Sequence, residues 1–375
     1  MLNDVKFDVA QGGLGIVAPG EDHISAILWT ATIPAALNNI KAKAYVAIEQ
    51  VVQDGITESS AIYGELYYHA SEFFRISPGA TLWLCFNVNS PNELMTLTNG
   101  KVRQLATYVS NMADIQSVWQ TFATVSQALH APLQVLLGWN ATFNPATCDD
   151  LSLKQSNCVS VLIAGSGAGK AVALATALGK AYIPCIGAVL GSMSKAKVSD
   201  SIAWVENHNL SNGKELEVIR IADGSNNPSN ALLTQLDDKH YLVLRKHVGE
   251  SGTYLNDSLT CIDPTNDYYS IEHNRVIQKA RRGIRKALLP KLNSPVRVDN
   301  ATGKLASSSV TFFENLAGAP LAQMLRDSEM SGYTVYIDPA QNIVATSILN
   351  IQVRITPMGV ARNIVVNLGF AVVGF

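Results

Sequence analysis

Through the first two-thirds of this 375-residue chain, short and almost wholly apolar runs alternate with longer stretches whose apolar residues recur at helical spacing. The apolar runs are residues 81–86, 133–137, 159–164, 183–190, 217–221 and 241–245. The helical stretches are 58–74, 101–110, 115–129, 169–180 and 195–205. A strand apolar on both faces must be covered on both, and helices between such strands supply the cover. The expected fold class is therefore α/β, with a largely parallel sheet domain flanked by helices.

The pattern changes after two Gly- and Asn-rich stretches, 224–228 and 249–257, that read as turns. A strong helix is expected over 275–289, stopped by Pro290, and one or two more over 311–328, interrupted by Pro320. Extended segments at 333–338 and 348–356 come next. The expected organisation is residues 1–20 as an N-terminal strand arm, 21–265 as the α/β domain, 266–360 as a C-terminal α+β core and 361–375 as a C-terminal strand arm. No internal repeat stands out.

Chemistry-bearing motifs are sparse. Ala164-Gly-Ser-Gly-Ala-Gly-Lys-Ala171 follows an expected strand and opens an expected helix, the setting of a phosphate-binding loop. Its first glycine position is Ala164 and its magnesium-binding hydroxyl position is Ala171, so a tightly packed Gly-rich turn is the favoured reading. A nucleotide-binding enzyme using residues 165–170 is the alternative. The seven histidines are scattered, and no Gly-x-Ser-x-Gly elbow is followed by Asp and His. Asp149-Asp150 and Asp237-Asp238 read as solvated pairs in loops. The five cysteines have no Cys-x-x-Cys spacing, which argues against a disulfide framework or a zinc site. No catalytic residue, cofactor or metal is expected.

Charge is scarce and unevenly placed. Only 15% of residues are charged, against roughly 25% in ordinary soluble domains, which points to surface buried against other subunits. A net charge of −2 disfavours a general nucleic-acid binder. Yet residues 271–300 carry a local excess of +6, while the preceding 270 residues sum to −8. On the helix expected there, Ile277, Ala280, Ile284 and Leu288 form an apolar stripe. Lys279, Arg282 and Lys286, with Arg285 beside them, form a cationic face suited either to solvent or to an anionic surface.

Both ends read as period-two strands: Val5, Phe7 and Val9 at the front, Ile364, Val366, Leu368 and Phe370 at the back. An unpaired apolar strand is an aggregation hazard, so each must find an edge, in its own chain or in a neighbouring subunit. The N-terminus lacks the charged and apolar regions of a signal peptide, and no run is long enough to insert in a membrane.

Several stretches together resemble the contractile tail sheath proteins of phages and phage-like injection systems. They are Gly252-Thr-Tyr-Leu-Asn-Asp-Ser-Leu-Thr-Cys261, Asp267-Tyr-Tyr-Ser-Ile-Glu-His-Asn-Arg-Val-Ile-Gln-Lys-Ala280 and Ala287-Leu-Leu-Pro-Lys-Leu-Asn-Ser-Pro295. Ile351-Gln-Val-Arg-Ile-Thr-Pro-Met-Gly359, Ala361-Arg-Asn-Ile-Val-Val-Asn367, Asp54-Gly-Ile-Thr57 and Glu72-Phe-Phe-Arg75 add to it. The resemblance implies a non-enzymatic homo-oligomer whose rings stack helically around an inner tube protein, with baseplate and terminator proteins as further partners. It implies assembly in the bacterial cytoplasm into a phage tail or phage-like contractile particle. Arms exchanging strands between neighbours would be residues 4–10 and 361–372. The face of Lys279, Arg282, Arg285 and Lys286 would be the candidate tube contact. The chain is short for a sheath, which implies that large outer decoration domains are absent.

Overall fold

The computed structural model describes residues 21–300 and 302–370. The chain passes through β1 (Ser25–Trp29), β2 (Ala42–Tyr45), α1 (Ile48–Gln53), α2 (Gly64–Ile76), β3 (Leu82–Phe86), α3 (Pro91–Thr98) and β4 (Gln104–Val109). A π-helical turn leads into α4 (Thr121–Ala128), then come β5 (Gln134–Trp139), β6 (Val159–Leu162), β7 (Ala164–Ser166), α5 (Gly169–Ala177) and α6 (Ile186–Lys195). β8 (Ile219–Ile221), α7 (Asn230–Asp238) and β9 (Tyr241–Leu242) complete this part. Seven strands form one sheet in the order β2-β3-β1-β4-β5-β6-β9. All neighbours pair parallel except β2, which runs antiparallel on the edge. Ile27 of β1 stands beside Leu84 and Ala106, and all three are fully buried. The fold is thus mixed α/β with a largely parallel central sheet between helices.

Two local expectations fail for one physical reason. Residues 101–110 place Val102, Leu105, Ala106 and Val109 at helical spacing, yet they form strand β4. A central strand is buried on both faces, so its polar positions are inside as well. Gln104 donates to Ser25 Oγ at 2.9 Å and Thr107 to the Leu28 carbonyl at 3.0 Å, which is how those positions are tolerated. Conversely, 183–190 reads as a strand because it is apolar throughout, but Ile186 opens α6, a helix buried on every side through Ser194. Where a helix is expected over 195–205, only Lys195 is helical, as the end of α6, and 196–205 form bends and turns. Sequence reading also missed β1 and β2, and it put residues 217–221 in the main sheet, whereas β8 pairs antiparallel with β7 outside it.

The later part begins with a small antiparallel pair, β10 (Leu244–Arg245) and β11 (Tyr254–Leu255). It continues through α8 (Ile271–Leu288), α9 (Ser307–Arg326), β12 (Gly332–Tyr336), α10 (Ile343–Thr346) and β13 (Gln352–Thr356). Pro290 lies in the short 3-10 turn that ends α8, as expected. Pro320 does not break α9, because the helix runs through it. Gly283 of α8 leaves room for the ring: a Cβ there would stand 2.8 Å from Pro320 Cβ.

α8 joins the two parts. Its first half is buried in the α/β body, where Arg275 donates to the Ala196 and Lys197 carbonyls at 3.2 Å and Gln278 to that of Leu133 at 3.3 Å. Further along, Val276, Ala280 and Ile284 pack with Leu321, Met324 and Met330, and Leu288 joins a separate cluster around Phe313. The stripe read from sequence therefore divides between two cores, with Val276 taking the buried place assigned to Ile277.

Candidate assembly surface

An open parallel sheet offers a ligand seat where the strand order reverses, above the carboxyl ends of the strands. Here that place lies between β1 and β4, and the protein's own side chains occupy it. His69 of α2 meets the Tyr108 hydroxyl at 2.5 Å, and Tyr108 donates to Glu65 at 2.8 Å. Lys180 grips both Glu65 oxygens at 2.7 and 2.8 Å and lies over the Tyr108 ring. Trp29 packs on Tyr108, their ring centroids 5.3 Å apart.

Burial and the nearby Lys180 push the His69 imidazole down from 6.5 to about 3. Between these values the unfolded chain binds a proton that the folded chain does not, so stability rises with pH across that window and is lost toward pH 3. Replacing His69 by Gln is expected to flatten the stability–pH slope below pH 6.5 by up to about 1.4 kcal/mol per pH unit, measured by urea unfolding at several pH values.

The Gly-rich turn between β7 and α5 is likewise filled. The Glu215 carboxylate, 5% exposed, accepts from the Lys170 backbone N–H at the start of α5. The Tyr68 hydroxyl donates to the same carboxylate at 3.3 Å. Lys170 Nζ turns away to Glu58 at 2.9 Å. The backbone donor that would meet a phosphate thus meets an internal carboxylate, and Lys170 is not aimed at the same point. Among the described residues no group of His, Cys, Asp and Glu could hold a metal, and no helix is long and apolar enough to cross a membrane. All five cysteines are free, and four are buried.

The unsatisfied surface lies at the C-terminal end. β12 and β13 form a two-stranded antiparallel sheet in register Gly332 with Thr356 and Tyr336 with Gln352. Tyr333, Val335, Val353 and Ile355 pack onto α8 and α9, while Thr334, Tyr336, Gln352 and Arg354 face out. Neither outer edge of this sheet is paired among the described residues. Beyond it, residues 361–370 form no strand. Ile364, Val366, Leu368 and Phe370 are 75–108% exposed, and Val365 is 84% exposed. Residues 352–356 pair with β12 and not with this end. Val5, Phe7 and Val9, with the rest of residues 1–20, lie outside the described residues, as do 371–375.

The four cations of α8 do not form one free face. Lys279 bridges Asp22 at 2.8 Å and Glu329 at 2.5 Å, and Arg282 pairs with Asp22. Burial alone would raise the Asp22 carboxyl, but Arg282 and Lys279 outweigh it and hold it below the usual carboxylate range. Arg285 and Lys286 are exposed. Nearby, Lys291, Arg297 and Phe312 line an open cleft of about 430 Å³. The sequence signalled the local charge but not its partners, because Asp22 is 257 residues before Lys279 in the chain.

No curated protein matches this sequence. Two solved assemblies contain chains of similar fold. One is the baseplate of the anti-feeding prophage (AFP), determined by cryo-EM with six-fold symmetry: TM-score 0.65, 15% identity, covering 99% of this chain and 99% of that one. The other is the PVC sheath complex of an extracellular contractile injection system in its contracted state: TM-score 0.59, 11% identity, covering 99% of this chain and 98% of that one. Residues 141–259 match the N-terminal domain of DUF2586 and residues 267–374 its C-terminal domain. With both domains matched in order over more than half of its length, the chain belongs to the DUF2586 family.

Proposed function

We propose that this chain is a structural subunit of a contractile sheath, polymerising as stacked rings around an inner tube and contracting to drive that tube through a target envelope. The observation that carries the reading is the run of apolar side chains from Ile364 to Phe370, almost fully exposed on a folded chain and close in sequence to a sheet with open edges. Burying each such side chain is worth about 1.5–3 kcal/mol, a strong drive to find a second copy. The whole-length likeness to chains of an AFP baseplate and a PVC sheath complex supports the same role in a contractile particle. So do the two filled ligand seats, which leave the sheet as a scaffold.

In this reading residues 361–375 and 1–20 are arms that add strands to neighbouring subunits, 21–265 is the α/β body and 266–360 the sheath core. The inner tube meets the exposed Arg285 and Lys286, with Lys279 and Arg282 contributing to the field while they hold Asp22. Surface ion pairs are worth about 0–1 kcal/mol each, so many repeated along a tube hold firmly yet release one at a time. Contraction then draws on a second, lower-energy packing of rigid bodies and needs no nucleotide. Electron microscopy of the purified full chain is expected to show tubes or stacked rings. A monomer or a compact closed ring under all conditions would overturn the assignment.

A further inference from the structure

The exposed apolar segment leaves the body at a built site. Arg362 reaches back with its whole guanidinium onto the segment that leads into α8 and onto the first turn of that helix. Nε donates to Asp257 Oδ2 at 2.8 Å, Nη2 to Glu272 Oε1 at 2.6 Å and Nη1 to the Tyr269 hydroxyl at 2.9 Å, and the group stands 5.1 Å from the Tyr269 ring centre. Glu272 is 1% exposed, lies in the first turn of α8, and also accepts from Ser258 Oγ at 2.5 Å. The residues on either side, Ala361 and Asn363, are exposed. Burial acts against the Arg362 charge, but Asp257 and Glu272 more than offset it and hold the guanidinium above its ordinary value.

The other end of the described chain is held by the same helix. Asp22 pairs with Lys279 and Arg282, and Glu21 pairs with Arg103 at 2.6 Å. The two attachment points on α8, Glu272 and Arg282, are about 15 Å apart along its axis at 1.5 Å per residue.

We propose that Arg362 is a latch: its fork on Asp257 and Glu272 fixes the point and direction at which residues 363–370 leave the body, with α8 as the common frame for both chain ends. Arg suits the task because its planar fork engages two carboxylates at once, which Lys cannot do. Arg362 is a positioning residue, and its consequence for assembly rests on the sheath reading, whereas the latch itself does not.

Trypsin reads the latch directly, since a guanidinium held by carboxylates is withheld from the protease until it opens. In the full-length protein, release of the fragment beginning at Asn363 is followed by mass spectrometry and normalised to cleavage after Arg354 in the same digest. Asp257→Asn removes one carboxylate charge and is expected to speed that release about tenfold. Arg362→Lys keeps a cleavable cation without the fork and is expected to do the same, so the test does not depend on one variant folding. Wild-type release in both variants overturns the latch. Faster release combined with normal assembly of a chain lacking 363–375 leaves the latch standing and removes the arm reading; unchanged release with lost assembly does the reverse.

Discussion

Removing residues 363–375 is expected to leave a folded, monomeric protein that no longer forms tubes. The deletion spares Arg362 and every packed element among the described residues, so far-ultraviolet circular dichroism and the unfolding midpoint should match those of the full chain. What it removes is the apolar set Ile364, Val366, Leu368 and Phe370, which touches little of its own chain. If this set pairs as a strand, its effect is confined to one face, because alternate residues of a strand point to opposite sides. Leu368→Asp must then bury a carboxylate where a leucine belongs. It loses about 2 kcal/mol of transfer energy and incurs a desolvation cost of several more, enough to raise the assembly threshold at least a hundredfold. Asn367→Asp, on the opposite face, should change that threshold only a few-fold. Sedimentation and electron microscopy across a concentration series separate the two. Equal effects at 367 and 368, or tubes from the deleted chain, would exclude a strand arm.

The sequence made the βα alternation legible because most strands of a parallel sheet are continuous apolar runs, and 81–86, 133–137 and 159–164 met β3, β5 and β6 within a few residues. It failed at β4 and α6 because both are buried on all sides. There, apolar period reports the order of residue sizes rather than the geometry of exposure, and four residues at helical spacing were enough to mislead. The apolar C-terminal run is a local signal of another kind: Ile364, Val366, Leu368 and Phe370 alternate in the sequence and stand exposed in the structure. Arg362 was not legible as a latch, since Asp257 and Glu272 are 105 and 90 residues away in sequence. The same holds for Glu215, which fills the Gly-rich turn from 45 residues beyond Lys170. Long-range charge pairing leaves no periodic trace.

A second large effect is expected where the structural reading of the sheet is most exposed to test, at the crossing of α2 and α6. Gly187 and Gly191 let α6 approach the α2 backbone: a Cβ on Gly187 would stand 2.7 Å from the carbonyl carbon of His69 and closer still to its oxygen. In a helix interior Gly→Ala ordinarily gains about 1 kcal/mol. Overpacking costs about 1–3 kcal/mol where side chains can shift, and here the obstacle is backbone, so the upper end or beyond applies. Gly187→Ala should therefore destabilise by about 2 kcal/mol net. Gly318 in α9 is the matched control, because its added Cβ would meet only Tyr333 and Val335 side-chain atoms at 3.6–3.9 Å, ordinary contact distances. Gly318→Ala should stabilise by about 0.5–1 kcal/mol. Urea unfolding of both variants in the chain lacking 363–375 keeps assembly from contributing to the midpoints. Shifts of the same sign would mean that α6 does not sit against His69 as described. Opposite signs would show that α6 packs directly on the α2 backbone at His69, whose ring stands beside Tyr108 in the filled seat.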